Sequence, residues 1–356
     1  MDFGIFSLMG FREPGKATAK VIEETIEQTV VAEELGFGAS WIAEHHFSNY
    51  AICPSPLMMV AACAKVTKRI GLATGVVLAP LYNPARLLSE IAFVDALTEG
   101  RLILGVGSGY QPYEFERFNV DLGDSKNMTA EFLDLMDAAM SRDFITHRGK
   151  HFNLSDTHIS PRPVQNPLQV YLAGDAPQLQ QLAAKHGYGS IIAGRTGGID
   201  AVVQQRERLL ANFAAEGVPE NRVKLAVQRH CCVTRNSATA QHFAENTLYQ
   251  IRLTTGLRNR SEAMDGIMLR DSPFPKEPSL QQIFDNLLIG SPELVAERLT
   301  DEIRKLNPQH ICFYFELGDF AHRDVLKSME LFATEVVPMV ERELGPLSQL
   351  GLSHAA

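Results

Sequence analysis

Apolar and polar positions along the chain change period repeatedly, and the changes come at regular intervals. Residues 3–8, FGIFSL, form a short apolar run of the length a buried strand needs. Residues 21–35 follow with Ile22, Ile26 and Val30 on one stripe at helical spacing, and Gly36 and Gly38 stop that pattern. The couplet then recurs. Strands are expected over 40–43, 70–78, 101–106, 169–173, 190–193, 223–233 and 309–315. Helices are expected over 55–66, 84–97, 129–140, 178–186, 200–215 and 238–253, and Val325, Met329, Phe332 and Val336 make a last helical stripe. Roughly eight strand–helix units of this kind predict an α/β fold, a closed parallel (β/α)8 TIM barrel. An open doubly wound sheet is the structural alternative. It would favour a glycine-rich fingerprint in the first strand-to-helix turn, and Leu8-Met9-Gly10-Phe11 is not one.

Two segments interrupt the rhythm. Residues 148–167 carry His151-Phe152 and Pro161-Arg162-Pro163, which predict an extended excursion or a small hairpin. Residues 256–286 are polar and hold Pro273, Pro275 and Pro278, which predicts a mobile lid inserted near the barrel mouth. No low-complexity tract or linker divides the chain, so residues 1–356 are expected to form a single domain.

Composition narrows the function classes. The net charge is −9 over 356 residues with no basic run, a poor match to nucleic acid or an anionic membrane. The five cysteines are odd in number and form no CxxC pair, so neither a disulfide framework nor a structural zinc site is expected. The first residues lack a basic segment ahead of an apolar one, and no apolar run approaches a membrane span. A reducing cytoplasm is the expected compartment.

The candidate chemistry lies at strand ends, where barrel enzymes carry their sites. Trp41-Ile42-Ala43-Glu44-His45-His46-Phe47 closes the second strand, and alternation puts Trp41, Ala43 and His45 on one face and Ile42, Glu44 and His46 on the other. His45 is therefore expected at the mouth and His46 toward the helices. Both could instead simply hydrogen-bond loop backbone. Adjacent residues diverge, so Glu44, His45 and His46 chelate poorly, and no HxH or HExxH motif occurs; no metal site is expected. Gly105, Gly107 and Gly109 close the fourth strand and permit close approach of a ligand to backbone. Gly174-Asp175-Ala176-Pro177 follows the fifth strand and opens a helix. It reads either as a phosphate cradle or as an ordinary helix start capped by Asp175. Together the two glycine-bearing ends suggest a phosphorylated ligand lying across the mouth.

These residues also carry a resemblance. Ser40-Trp41-Ile42-Ala43-Glu44-His45-His46-Phe47 resembles the second-strand signature of the bacterial luciferase-like flavin-dependent monooxygenases. The blocks from Thr74 to Pro80 with Asn83, Pro84 and Arg86, from Asp95 to Tyr110 with Glu114, from Asn286 to Pro292, and from Phe315 to Gly318 are similar to later parts of that family. The resemblance implies a (β/α)8 barrel that uses reduced FMN, supplied by a separate NAD(P)H-dependent reductase, and O2. It implies oxygenation of a small organic substrate through a flavin hydroperoxide, and a homodimer or a pair with a related chain. Under it, His45 is the proton-handling catalytic residue, and Thr74, Gly75 and Val76 lie under the flavin ring with a cis Gly75–Val76 bond. Gly107, Ser108, Gly174, Asp175 and Ala176 fall where the family holds the FMN phosphate. Gly107 stands where the luciferase catalytic chain has a reactive cysteine, and Ser108 where it has a basic phosphate ligand, so light emission is not expected. Two alternatives stay open: a deazaflavin-dependent oxidoreductase performing hydride transfer, and a non-catalytic flavin-binding partner subunit. Neither the substrate nor the choice between hydroxylation and Baeyer–Villiger insertion is readable in the sequence.

Overall fold

The computed structural model describes residues 1–351. Eight parallel strands pair in a ring: β1 (Asp2–Ser7), β2 (Ala39–Ile42), β3 (Gly71–Thr74), β4 (Leu102–Gly107), β5 (Gln169–Ala173), β6 (Gly189–Ala193), β7 (Leu225–Val233) and β8 (His310–Tyr314). Ile5 of β1 lies between Ser40 of β2 and Phe313 of β8, and β7 joins β6 to β8 through Val227, opposite Ile192 and Ile311. Every barrel strand therefore has a neighbour on each side and the eight-strand ring has no open edge, the feature that separates a barrel from the doubly wound alternative; a short strand, Leu288–Gly290, adds to the end of β7 outside the ring.

Around the ring lie α1 (Thr18–Glu34), α2 (Pro56–Ala64), α3 (Pro84–Leu97), α4 (Ser125–Ser141), α5 (Pro177–His186), α6 (Ile199–Ala215), α7 (Ser237–Asn259), α8 (Pro292–Leu306) and α9 (His322–Leu331). Their starts follow local chemistry. Ser55, Asn83 and Ser291 accept hydrogen bonds from first-turn amides, each followed by a proline that sets the entry dihedral of α2, α3 and α8. A π-turn at Phe332–Val336 follows α9 and seats Phe332 against Phe3, Phe37, Phe313 and Phe315, with ring centroids 4.8 to 5.8 Å apart. The barrel interior is also filled. Trp41 Nε1 donates to His310 Nε2 over 2.9 Å and its ring meets Tyr171 edge-on, so the floor below the mouth is side chain, not channel.

The structure gives detail to the expected elements at four places. The strand read over 70–78 breaks at Gly75–Val76, and Val77–Leu78 resumes pairing with β4. The loop after β4 contains a helix, Pro112–Phe118, whose seven residues are too few for a periodic signal. The excursion over 148–167 is in part a hairpin, Ile145–Arg148 with Asn153–Thr157. The segment over 256–286 begins as the last turn of α7, continues as the hairpin Met264–Asp265 with Met268–Leu269, and ends in the helix Leu280–Asn286, opened by a Ser279–Gln282 capping box. Among the described residues no helix is long and apolar enough to cross a membrane.

One charged group binds the outer layer to the barrel. Arg229 of β7 points away from the interior and is fully buried, with Nε and Nη2 on the Glu302 carboxylate of α8 at 2.6 to 3.1 Å. Its other donors reach the carbonyls of Gly197 and Asn286. Removing one partner leaves an uncompensated buried charge, which typically costs about 3–5 kcal/mol. Glu302→Ala is therefore expected to lower stability by about that amount in urea unfolding, and Arg229→Met with Glu302→Leu to recover most of it. A single-variant loss below about 1 kcal/mol would show that solvent reaches the guanidinium.

Candidate active site

β2 ends at Ile42, and the chain runs on through Glu44, His45 and His46, each 8% exposed or less. The two imidazoles divide between two carboxylates, Glu114 and Glu44. Glu114, in the helix Pro112–Phe118 and itself fully buried, accepts from His45 Nδ1 at 2.9 Å and from the His46 main-chain N–H at 2.8 Å, both through Oε1. Glu44 accepts from His46 Nε2 at 3.1 Å and from the Leu78 N–H at 3.0 Å. Burial pushes the Glu44 carboxyl above its usual range, and these two donors pull the other way. Glu44 thus ties the β2 end to the segment just past Gly75–Val76, and His46 is a structural link between them, packed edge-on against Phe118.

A carboxylate on Nδ1 places the ring proton there and leaves Nε2 of a neutral His45 as a lone pair. No protein group among the described residues bonds to that Nε2. Gln111 is fully buried beside it, 3.2 Å from both His45 Nδ1 and the Tyr110 hydroxyl. Gln111 Nε2 donates to the Tyr110 hydroxyl, and its Oε1 is buried without a partner among the described residues. Tyr50 and Tyr110 enclose the imidazole, edge-on at 4.8 and 5.8 Å, and their hydroxyls are 3.2 Å apart. Burial raises both phenols further above neutrality, so they stay protonated donors. Arg258, in the last turn of α7, lies over the Tyr110 ring at 4.6 Å.

The Gly75–Val76 peptide is cis, the conformation the resemblance implies there. A Cβ on Gly75 would sit 2.6 Å from the Phe6 ring, and one on Gly107 would sit 2.5 Å from Val76 Cγ2, so the strand ends meet at backbone distance. Thr74 acts between the strands. Its hydroxyl donates to the Gly105 carbonyl and accepts from the Gly105 N–H, at 2.8 and 2.9 Å, joining β3 to β4. Ser108 is buried, with its hydroxyl in one long 3.5 Å contact to the Gly109 carbonyl. At the β5 end, Gly174 has φ 140° and Ala176 is the residue before α5, with no side-chain cap. The helix-cap reading of Asp175 is therefore wrong: its side chain is exposed, the Leu179 and Gln180 N–H groups bond to the Ala176 carbonyl, and only the Gln178 N–H of the first turn has no acceptor among the described residues. Opposite His45 the mouth is closed by Phe6, Tyr314 and His230, the last two stacked at 4.8 Å.

His45, Gly75, Val76 and Gly107 thus share one wall, through the Glu44 and Glu114 links and the Val76–Gly107 approach. Ser108, Gly174, Asp175 and Ala176 stand at the ends of neighbouring strands β4 and β5. Sequence reasoning places Glu114 in a family block without a role, and it misses Tyr50, Gln111, His230 and Tyr314. Only Glu114 has a usable signal, as a carboxylate in a glycine-led loop after a barrel strand.

Comparison with known proteins decides the family. The profile of the luciferase-like monooxygenases matches residues 1–310. The chain belongs to the luciferase-like monooxygenase family. It is 35% identical to the uncharacterized protein y4vJ of Sinorhizobium fredii, over 97% of this chain and 99% of that one. It is 26% identical to the oxygenase component of the flavin-dependent trigonelline monooxygenase of Acinetobacter baylyi, over 95% of each. Three solved structures share the fold. They are the monooxygenase RslO1 of Streptomyces bottropensis (TM-score 0.81, 22% identity, 95% and 99% covered) and the FMN complex of the oxygenating constituent of 3,6-diketocamphane monooxygenase of Pseudomonas putida (0.78, 22%, 95% and 98%). The third is an F420-dependent secondary alcohol dehydrogenase (0.74, 18%, 95% and 98%).

The Glu114–His45 contact makes a direct prediction for this family member. In long-range 15N NMR the neutral His45 ring is expected as the Nδ1–H tautomer, with a pyridine-type Nε2. Glu114→Gln is expected to mix the tautomers. An Nε2–H tautomer in the unmodified protein would remove Glu114 as the group that orients the ring.

Proposed function

We propose that this protein is the oxygenase component of a two-component FMN-dependent monooxygenase, acting on a small organic substrate. The observation that carries the reading is His45, held by Glu114 through Nδ1 beside the glycine-built strand ends. The residues suit FMN. Gly75 and Gly107 let the Phe6 ring and the Val76 side chain pack directly on backbone, a closely built support for a planar ring, and Ser108, Gly174, Asp175 and Ala176 offer a hydroxyl and main-chain groups to a phosphate near the α5 N-terminus. Asp175 contributes through its main chain, because its carboxylate would repel the phosphate. Reduced FMN supplies the electrons that activate O2. The chain does the rest: the wall of Phe6, Tyr314 and Tyr50 excludes water, and Glu114 holds His45 with Nε2 ready to accept or return a proton at the reacting face.

A cofactor held without a basic ligand in the Gly107–Ser108 turn exchanges readily, as a flavin recharged by a separate NAD(P)H:flavin reductase must. The hairpin at 264–269 and the helix Leu280–Asn286 serve as the lid, and the five unpaired, buried cysteines suit a reducing cytoplasm. A deazaflavin hydride-transfer enzyme is the second reading, favoured by the fold shared with the F420-dependent dehydrogenase. Anaerobic bleaching of the cofactor by substrate alone would select it. The organised His45 pair weighs against a non-catalytic subunit.

The test is incubation with an FMN reductase, NADH, O2 and a substrate panel, read by mass spectrometry for one added oxygen atom. A positioned acid or base is typically worth about 10²–10⁴-fold in rate. His45→Ala is expected to lower product by that order and raise hydrogen peroxide, with the fold and reduced-FMN affinity intact. His46→Ala is expected to lower stability more than chemistry. Oxygenation by His45→Ala at the unmodified rate and peroxide leakage would leave His45 a packed loop histidine.

Assembly rests on a separate observation. Met58 on α2 and Phe93 on α3 are 72% and 57% exposed, and α2 packs on α3, so their apolar side chains stand on adjoining helices. A homodimer joined across α2 and α3 covers them. Light scattering is expected to give twice the chain mass, and Met58→Asp with Phe93→Asp to give the monomer mass. A monomer before substitution at micromolar concentration would defeat the dimer.

A further inference from the structure

Asn49 joins three segments that meet beside the barrel mouth. It is 3% exposed, and both polar atoms of its side chain are bonded. Nδ2 donates to the Phe11 carbonyl at 2.8 Å, in the segment after β1, and to the Tyr249 hydroxyl at 2.7 Å, on α7. Oδ1 accepts from the Leu269 N–H at 2.8 Å, in the hairpin of Met264–Asp265 with Met268–Leu269. The amide has one orientation, because the Phe11 carbonyl can only accept and the Leu269 N–H can only donate.

The same residue belongs to the loop that carries His45. The His45 N–H bonds to the Cys53 carbonyl at 3.1 Å and closes residues 45–53 into one loop, with Asn49 at its midpoint. The Asn49 carbonyl accepts from the Phe11 N–H at 3.1 Å. The next residue, Tyr50, sets its ring edge-on against the imidazole at 4.8 Å. The end of α7 reaches the other side of His45. Arg258 lies over the Tyr110 ring at 4.6 Å, and Arg260 pairs at 3.0 Å with Glu116, on the helix that presents Glu114. A separate set of contacts seats residues 270–279. Glu277 holds Arg252 of α7 through two bonds of 2.7 and 2.9 Å, and Asp271 lies 3.7 Å from both Arg252 and Arg12. Among the described residues, neither carboxylate bonds to the 45–53 loop or to residues 108–118.

We propose that Asn49 is a positioning residue that makes the seating of residues 261–279 and the placement of His45 a single event. A buried amide oxygen that loses its only donor costs free energy, so the 45–53 loop does not keep its shape when Leu269 withdraws. Such coupling is reciprocal: what loosens the segment loosens the loop, and the reverse. Its use rests on the oxygenase reading, because His45 is then held at the reacting face only while the segment is seated. With the segment released, reduced FMN passes two electrons and two protons to O2 as hydrogen peroxide, and no oxygen reaches substrate. The coupling itself requires no flavin.

The test is hydrogen–deuterium exchange by mass spectrometry on the full-length, flavin-free protein, with long-range 15N NMR of His45 on the same samples. Asp271→Ala with Glu277→Ala releases the segment from its far side and leaves Asn49 in place. Exchange is expected to rise about tenfold over 264–279 and about tenfold over 45–53, the weight of one or two lost hydrogen bonds. The His45 ring is expected to lose its single Nδ1–H tautomer, and exchange over β7 to stay unchanged. Asn49→Leu is expected to act in the same way from the other end. Faster exchange over 264–279 with 45–53 and the tautomer unchanged overturns the coupling. So does an unaltered 264–279 in both variants, or a rise shared by β7, which is global unfolding. Incubation of the unmodified protein with an FMN reductase, NADH, O2 and the substrate panel separates the two readings. Product formation with uncoupled exchange sinks the Asn49 proposal alone, whereas coupled exchange without product sinks the oxygenase reading alone.

Discussion

Ring closure of eight parallel strands is the constraint on which everything else depends. A closed parallel ring gathers eight carboxyl-terminal strand ends within one small circle, and the connecting loops have nowhere else to converge. Residues far apart in sequence, such as His45 and Glu114, become hydrogen-bond partners because β2 and β4 flank β3 in that ring. The floor of Trp41, Tyr171 and His310 closes the interior below, so the mouth is a shallow basin with a rigid base. Side chains at the rim can then be held to fractions of an ångström, as positioned proton transfer requires.

Within the basin the two histidines divide their work through the carboxylates they meet. Glu44 and His46 hold the β2 end to the segment after β3, and Glu114 takes His45 together with the His46 main chain. A buried carboxylate that accepts two hydrogen bonds is tied to one geometry, so the imidazole it holds is tied as well. The opposite wall, from Phe6 through Tyr314 to His230, is aromatic surface.

The segment over 256–286 shows how the barrel recruits an insertion. Asn49, three residues past His46, is buried and donates to the Phe11 carbonyl and the Tyr249 hydroxyl, while its Oδ1 accepts from the Leu269 N–H of the 264–269 hairpin. The same short loop therefore carries His45 at one end and anchors the insertion at the other. Order in that segment and order around His45 share a set of hydrogen bonds.

The alternation of apolar strands with helical stripes determined the barrel, because the two periods, near 2 and near 3.6, are local properties that survive in the one-dimensional sequence. The EHHF motif and the glycines of β3 and β4 marked the catalytic wall for a related reason: residue types that cost stability elsewhere stand out where they occur. The sequence could not decide which side chains meet. Glu114 lies 69 residues from His45, and Gln250 lies 20 from His230. No spacing rule links residues on different strands, since their contact depends on the order and register of the ring. The same limit explains the misread Asp175, whose carboxylate could have capped α5 by local pattern alone. The structure turns it to solvent, and the Ala176 carbonyl takes the first-turn N–H groups of Leu179 and Gln180 in its place. Local period set the fold, and only the closed ring decided the chemistry at its mouth.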